Sequence, residues 1–386
     1  MKENPVKKVL VAGGAGYVGS VLVRELLGKG YAVKVFDRLY FGESGLADVR
    51  DRIELAAGDI RYMDPSVLEG VDAVIHLAGL YNELTSQYDD GANYRMNTNA
   101  TASLAFLCKG RGVKRFVLAS SCSVYHSGRQ ENPEEFLDEE SELSPKSGFA
   151  RAKLDAERLL IGMADKDFCP VILRKGTIFG FSPRMRYDLV VNTFLRDALS
   201  RGRMNLHFRG EMWRPMLEVR DAARAYIACL EAPEEKVRGE IFNAAGRNYR
   251  VSELALHVHQ ALRAAGESAE IGMAAGHKDV CNFRVSSEKI KRVLGFVPSI
   301  SVEESVAHML LEIRAAHFTD FDNPRYCNVS WIQQLLEAEK IIGLTGSVLG
   351  PDRKQQGKRS VAATIARLSG GTADRVEAPV LAAKSA

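Results

Sequence analysis

The sequence lacks several features that would assign it to a broad class of protein. No apolar run approaches the roughly 18 residues of a membrane span, and the first residues, MKENPVKK, have no apolar signal core. None of the six cysteines forms a C-x-x-C pair, and the net charge of +3 comes with no long basic run. We therefore expect a cytoplasmic protein with reduced thiols, no metal site, no membrane segment and no nucleic-acid partner.

The sequence does contain a glycine-rich turn between a strand and a helix. The apolar residues 9–11 predict a buried strand, Gly13, Gly16 and Gly19 follow it, and apolar residues then recur at helical spacing. A second strand over 32–36 ends at Asp37. Glycines in a strand–turn–helix unit let the backbone approach a pyrophosphate, and the start of the helix offers free N–H groups. This stretch predicts a dinucleotide site.

The acidic residue after the second strand favours one dinucleotide over another. Asp37 stands eighteen residues after Gly19, where a carboxylate accepts hydrogen bonds from both hydroxyls of the adenosine ribose. A 2′-phosphate would be repelled, so NAD is favoured over NADP, although the neighbouring Arg38 weakens that preference. Asp59, at the end of a further short strand, is either a contact to the adenine or a solvated loop acid.

Strands and helices alternate along the first half of the chain. Buried strands are predicted at 71–78, 114–120 and 170–173, and helices at 93–112 and 149–164. This alternation predicts an α/β fold with a doubly wound parallel sheet of the Rossmann type. The second half has helices at 189–200, 221–231, 252–265, 301–316 and 328–345, and a strand near 241–243 that returns to the sheet.

The expected domains follow from this change in the pattern of strands and helices along the chain. Residues 1–180 form a cofactor domain, and 181–325 form a smaller interleaved α/β substrate lobe. Residues 326–386 hold one helix and a flexible tail with poor periodicity.

Six ordered motifs resemble the extended short-chain dehydrogenase/reductase family, in its nucleotide-sugar epimerase/dehydratase branch. They are GGAGYVGS, VFD, GDI, HLAG, SSCSVY and RPMLEVRDAARA, and FRVSSEKIKRVLGFVP follows them. The resemblance covers residues 8–315 and implies bound NAD as a catalytic cofactor, a nucleotide-diphosphate sugar as substrate, and a homodimer. The cofactor-binding residues are expected to be Gly13, Gly16, Tyr17, Val18, Gly19, Asp37, Arg38, Asp59, Ile60, Leu77, Ala78, Gly79, Asn97 and Lys153.

The resemblance also implies a catalytic Ser/Thr, Tyr and Lys, with the last two at Y-x-x-x-K on one helical face. Ser121 and Lys153 occupy the first and last positions, but Phe149 stands where the family has tyrosine. Three interpretations remain open: an introduced inactivating substitution, proton transfer by another group, or a protein that binds NAD and sugar nucleotide without catalysis. The candidates for the other group are Tyr125, His126, Cys122 and Tyr81.

The reaction is expected to be epimerisation through transient oxidation of the sugar. Family dehydratases carry Asp and Glu directly after the catalytic Thr, whereas Cys122 and Ser123 stand there in this sequence. A dehydratase or a 4-keto reductase is the alternative enzyme. Residues expected to contact the substrate are Tyr81, Ser123, Tyr125, Asn192, Arg214 and Arg284, with Asn192 and the arginines on the diphosphate.

Overall fold

The computed structural model describes residues 6–80, 90–125, 135–274 and 282–345. Tyr81 and His126, both predicted near the site, lie outside these ranges, as does Cys281. The chain separates into two units, Met1–Val329 and Ser330–Ala386. The boundary expected near residue 180 remains a prediction. No helix in the described ranges is long and apolar enough to cross a membrane.

A seven-stranded parallel sheet forms the centre of the first unit, which confirms the predicted doubly wound α/β fold. Its strands, in the spatial order β11-β7-β5-β4-β1-β2-β3, are β1 (Lys8–Ala12), β2 (Ala32–Asp37), β3 (Ile53–Ala57), β4 (Ala73–His76), β5 (Arg115–Ser121), β7 (Cys169–Lys175) and β11 (Ile241–Ala244). The chain builds outward from β1 in one direction and then from β4 in the other. The carboxyl ends of β1 and β4 therefore border the crevice where such sheets bind ligands.

The longer helices of the described ranges begin and end close to the predicted residues, whereas some short ones were not predicted. The helices are α1 (Tyr17–Gly28), α2 (Asp90–Asn93), α3 (Ala100–Gly110), α4 (Gly148–Met163), α5 (Val190–Arg201), α6 (Val219–Glu231), α7 (Glu234–Val237), α8 (Val251–Ala264), α9 (Glu288–Leu294), α10 (Val302–Ala315) and α11 (Asn328–Thr345). A π-helical turn, Tyr94–Asn99, joins α2 to α3, so the single helix expected over 93–112 has an interruption. Ser147 caps α4 by accepting a hydrogen bond from the Ala150 amide (3.1 Å), and this cap sets where the helix begins.

Smaller sheets are formed by short strands, most of them in the second half of the sequence. Their strands are β6 (Phe136–Leu137), β8 (Thr177–Phe179), β9 (Arg203–Leu206), β10 (Trp213–Glu218), β12 (Arg247–Arg250), β13 (Glu270–Met273) and β14 (Arg284–Val285). They form the sheets β12-β10-β8, β13-β9 and β14-β6. Strand β11 pairs in parallel with β7, so the predicted return of the chain to the main sheet is confirmed.

Apolar residues fill both faces of the main sheet. One core lies between the sheet and helices α1, α5, α6, α8 and α10, and the other lies beneath α3 and α4. Strands buried on both faces are nearly all apolar, as a parallel sheet covered by helices requires. In β5 and β7, four polar side chains lie at the carboxyl ends: Ser120, Ser121, Arg174 and Lys175.

Two acidic residues are held by backbone amides from distant parts of the chain. Helix α6 begins at Val219, and its cap is Glu218, which accepts a hydrogen bond from the Arg220 amide (2.6 Å). Asp221, in the first turn, is buried and accepts hydrogen bonds from the amides of Ser299 and Ile300. Glu139 is partly buried and accepts a hydrogen bond from the Asn243 amide (2.6 Å) at the edge of β11.

Candidate active site

The glycine turn lies at the carboxyl end of β1, where the predicted pyrophosphate site should be. Gly16 precedes α1 in extended backbone and offers no side chain to the first amides of the helix, which are left for a ligand. Gly13 has φ of +86°, and a Cβ there would lie 2.7 Å from the Ala78 amide nitrogen. Only glycine therefore fits at this position, because any side chain would separate the turn from the segment after β4.

Asp37 faces this turn from the end of β2. Its carboxylate accepts hydrogen bonds from the Ala15 amide (3.0 Å) and the Leu39 amide (2.8 Å), which orient it beside the glycines. Burial raises the pKa of the Asp37 carboxyl. A diol that donates two hydrogen bonds would stabilise the ionised form, so the position fits the ribose of NAD.

Two orphaned polar atoms lie behind the segment that follows β4. Asn97 is fully buried, and its Oδ1, adjacent to Gly79, has no hydrogen-bond partner among the described residues. The ring of His76 bonds to Thr101 through Nε2 (3.0 Å), while its Nδ1 has no described partner. Burial lowers the pKa of His76 to about 3, so the ring is neutral. The glycine turn, Asp37 and residues Leu77, Ala78 and Gly79 thus form a cradle that fits a dinucleotide.

Other predicted cofactor residues have local roles in the structure. Asp59 accepts a hydrogen bond from the Arg61 amide (3.0 Å) and pairs with the side chains of both Arg61 and Arg38. The two guanidinium groups therefore form ion pairs with the carboxylate that was predicted to reach the adenine. Ile60 is buried in the core beneath α3, so only its backbone is available to a ligand.

Ser121, Phe149 and Lys153 occupy the positions expected of the catalytic residues. Ser121 ends β5, where its Oγ accepts hydrogen bonds from the Ser123 hydroxyl (2.9 Å) and the Ser123 amide (3.2 Å). Phe149 and Lys153 lie one helical turn apart on α4, and both are buried. Lys153 Nζ donates to the Ala119 carbonyl (3.0 Å) on the same strand as Ser121. Burial, and then the nearby charge of Lys175, lowers the pKa of Lys153 to about 7.

Two groups proposed to replace the missing phenol are engaged in the interior. Burial raises the pKa of the Cys122 thiol to about 12, and this thiol donates to the Arg174 carbonyl (3.2 Å). The Tyr125 hydroxyl donates to Asn243 Oδ1 and accepts from Arg174 Nη1, each at 2.8 Å, and burial raises its pKa. Neither residue is placed to exchange a proton with a ligand in this arrangement, and the expected contact of Tyr125 with substrate is corrected accordingly.

A buried charged network behind these residues is not evident from the sequence. The Arg174 guanidinium forms a bidentate pair with the Glu157 carboxylate, with N–O distances of 3.1 and 2.7 Å, and both side chains are almost fully buried. Glu157 also accepts a hydrogen bond from Ser120. Because Tyr125 and Asn243 extend the network, it joins α4 to β5, β7 and β11 below the predicted site. The sequence offers one hint of this network: Glu157 comes four residues after Lys153 and so lies on the same face of the predicted helix.

Asn192 is also corrected. Its Oδ1 accepts a hydrogen bond from the Gly180 amide (3.0 Å), and its amide donates to the Tyr17 hydroxyl (3.1 Å) and the Arg186 carbonyl (2.8 Å). The side chain is fully buried, so it holds α1, α5 and the loop after β8 together. It has no exposed atom with which to bind a diphosphate.

The two arginines expected on the diphosphate lie around one tryptophan. Arg214 Nη1 donates to the Trp213 carbonyl (2.8 Å) on β10. The Arg284 guanidinium lies between the rings of Phe136 and Trp213, 3.9 and 4.6 Å from their centroids. The structure therefore places both arginines beside Trp213.

Lys175 is a further residue at the strand ends that sequence reasoning missed. It pairs in register with Ser121 across β5 and β7, and its side chain is partly buried. Burial lowers the pKa of Lys175 to about 8. The available signal was a lysine two residues after the predicted buried strand 170–173, in the motif RKG.

A family model described as "NAD dependent epimerase/dehydratase family" matches residues 9–245, which is more than half of the chain. The chain belongs to this family. Its cofactor is NAD, in agreement with the fit of the cradle around Asp37.

Proteins of this family that resemble the chain catalyse different reactions. A UDP-N-acetyl-alpha-D-glucosaminuronate decarboxylase of Bacillus cytotoxicus is 26% identical over 320 residues, covering 78% of this chain and 95% of the relative. The UDP-glucose 4-epimerase of Thermotoga maritima, solved with UDP-glucose, is 25% identical with a TM-score of 0.70, covering 81% of this chain and all of the other. The dTDP-glucose 4,6-dehydratase of Streptomyces venezuelae, solved with NAD and TYD, is 26% identical with a TM-score of 0.67, covering 80% and 97%. The family and fold are thus shared, while the reaction differs among relatives.

Proposed function

We propose that this protein is an NAD-dependent nucleotide-sugar epimerase. The observation that carries the proposal is the state of Cys122, which directly follows Ser121. Its thiol is buried, has a pKa raised to about 12 and donates to a backbone carbonyl. A dehydratase needs an acid–base pair to remove the hydroxyl, and neither this thiol nor the Ser123 hydroxyl supplies one near neutral pH. Epimerisation needs only oxidation, turnover of the ketone and return of the hydride.

Each part of the predicted site has a role in this reaction. The glycine turn and Asp37 would hold NAD, which accepts and returns the hydride when bound. Lys153 would bind the nicotinamide ribose, and Ser121 would donate a hydrogen bond to the reacting sugar oxygen. Arg214 and Arg284 would bind the diphosphate, with Trp213 beside them. The Ser123 hydroxyl donates a hydrogen bond to Ser121 Oγ. Ser123 is also the remaining residue predicted to contact the sugar in the described part of the site.

The proposed assembly is a homodimer formed through two helices that include α4, as the resemblance implies, and we propose α3 as the other. Apolar side chains on the outer faces of these helices support it, since Phe106 is 65% exposed and Ile161 is 38% exposed. Light scattering on the preparations used below measures the mass in solution. A monomer at working concentration would contradict the dimer without affecting the reaction proposed.

The function is tested with this chain and Phe149→Tyr, each incubated with NAD and UDP-, GDP-, dTDP- or CDP-sugars in D₂O. Proton NMR is expected to detect an inverted sugar carbon whose hydrogen is retained, because the same hydride returns. Solvent deuterium with loss of water would indicate a dehydratase, and release of CO₂ from a uronic acid would indicate a decarboxylase. A net reduced product would indicate a reductase. Tight NAD binding with no turnover by either protein would favour a binding protein and contradict the proposal.

A further inference from the structure

Lys175 is a cation without a described counter-ion at the edge of the sheet where the reaction is proposed. No hydrogen bond or ion pair joins its amine to any residue in the four described ranges. Glu157 is paired with Arg174 and Asp188 with Arg186. Glu139, which like Lys175 lies near Cys122, accepts a hydrogen bond from the Asn243 amide. An amine kept partly buried without such a partner is costly to the fold, which indicates a use for it.

The register of the sheet brings this amine to the catalytic serine. Ser121 and Lys175 are partners across the parallel strands β5 and β7. Partners in neighbouring strands have backbones about 4.8 Å apart and side chains on the same face. The flexible four-carbon stem of lysine can therefore bring Nζ close to the Ser121 hydroxyl. The register therefore places both side chains on the same face of the sheet at the carboxyl ends of the strands.

Among the described residues, the other groups at this edge leave the proton-transfer role open. Phe149 has no hydroxyl, and the Cys122 thiol and Tyr125 hydroxyl are bonded internally. Lys153 donates to the Ala119 carbonyl and has its expected task on the ribose. Resting on the function proposed above, we propose that Lys175 is the catalytic residue that moves the proton of the reacting sugar hydroxyl in place of the missing tyrosine.

The step balances with the groups named. The lone pair of neutral Nζ forms an N–H bond with the hydroxyl proton while that O–H bond breaks. The carbon–hydrogen bond would break at the same time, giving a ketone, and NAD, when bound, would supply the oxidant that takes up the hydride. On return, the Lys175 ammonium gives its proton back to the sugar oxygen. No further reductant or acid is consumed.

The charges around Lys175 favour the neutral form that this step requires. Burial lowers its pKa most, the charge of Arg186 lowers it further, and Cys122 opposes the shift, giving a value of about 8. Lys153 adds a second positive charge at this edge, since its own pKa is lowered by Lys175. A rate that needs neutral Lys175 should rise with pH through about 8.

The test compares this chain with Lys175→Met, Lys175→Arg and the control Lys236→Met, whose lysine is exposed on α7. We expect both Lys175 variants to lose roughly 100-fold or more in kcat, because arginine keeps the charge but cannot exchange its proton. The control should keep its rate within about twofold. Adding Phe149→Tyr to Lys175→Met should restore turnover and remove the rise with pH near 8.

A binding measurement separates proton transfer from anchoring of an anion. Calorimetry of the NAD-loaded proteins should give Kd values for the nucleotide sugar that agree within about twofold between this chain and Lys175→Met. An active Lys175→Arg variant, or a Lys175→Met variant that raises KM and Kd with unchanged kcat, would instead make Lys175 an anchor for a carboxylate or phosphate and overturn the proposal.

The two proposals can fail separately. If Phe149→Tyr turns over a sugar that this chain does not, the epimerase function stands and proton transfer by Lys175 is wrong. If no variant, including Phe149→Tyr, turns over any sugar, the proposed function fails and the role of Lys175 fails with it. Thermal melting of every variant verifies that a lost rate is not a lost fold.

Discussion

Two charged groups at the same edge of the sheet differ in how their charge is compensated. Arg174 and Glu157 form a buried bidentate pair that Ser120 and Tyr125 complete. Lys175 follows Arg174 directly in the chain but has no described partner. Because successive residues of a strand point to opposite faces, the Arg174 side chain enters the core beneath α4 while that of Lys175 points to the opposite face. Adjacent cations can therefore have separate tasks, one stabilising the scaffold and the other available to a ligand.

The largest effect on the free energy of unfolding is expected from Arg174→Met, which tests the paired member of this comparison. Removing the guanidinium leaves the Glu157 carboxylate buried without its partner, which costs about 3–5 kcal/mol in comparable cases. Urea unfolding followed by circular dichroism measures this loss of free energy of unfolding. The double variant Arg174→Met with Glu157→Leu should recover part of the loss, because no buried charge remains. A single variant that loses less than about 1 kcal/mol would contradict a buried pair.

A smaller effect concerns the coupling of the two lysines. Lys175→Met removes a positive charge that lowers the pKa of Lys153, so this pKa should rise from about 7 towards its ordinary 10.5. Burial of Lys153 is unchanged, so the rise should be partial. NMR of the ¹³C-methylated lysines over pH 6–11 measures it, with Lys153→Met used to assign the signal. An unchanged Lys153 titration would show that the two amines do not share one site.

The smallest effect is expected from Cys122→Ser. The serine hydroxyl can still donate to the Arg174 carbonyl, so the free energy of unfolding should change by about 1 kcal/mol or less. Turnover should stay within about twofold, because a thiol with a pKa of about 12 has no acid–base role at neutral pH. A loss in kcat of tenfold or more, with the melting temperature unchanged, would give Cys122 a part in the chemistry.

The two ends of the site also differ in how far the sequence predicted them. The cofactor end is built from contiguous segments, so the spacing of Gly13, Gly16 and Gly19 and the following Asp37 predicted both its fold and its ligand. The substrate end draws on residues that are far apart in the chain. Tyr125, Arg174 and Asn243 meet only because β5, β7 and β11 are neighbours in the sheet.

Burial explains the residues for which prediction and structure disagree. Asn192 and Tyr125 match positions expected on the substrate, yet both are enclosed by partners from other elements. A motif records the type of residue at a position but not the hydrogen bonds that its neighbours supply. Asp221 shows the same limit on a smaller scale, since its partners Ser299 and Ile300 lie far along the chain.

The sequence by itself determined the parallel α/β fold, the family and NAD, because these depend on periodicity and on a short motif with its own backbone requirements. It also determined that the phenol is missing at Phe149. Only the tertiary structure decided that Cys122 and Tyr125 are engaged while Lys175 has no described partner. Whether a titratable side chain is available depends on what packs around it, and strand register and helix packing bring those neighbours from distant parts of the chain.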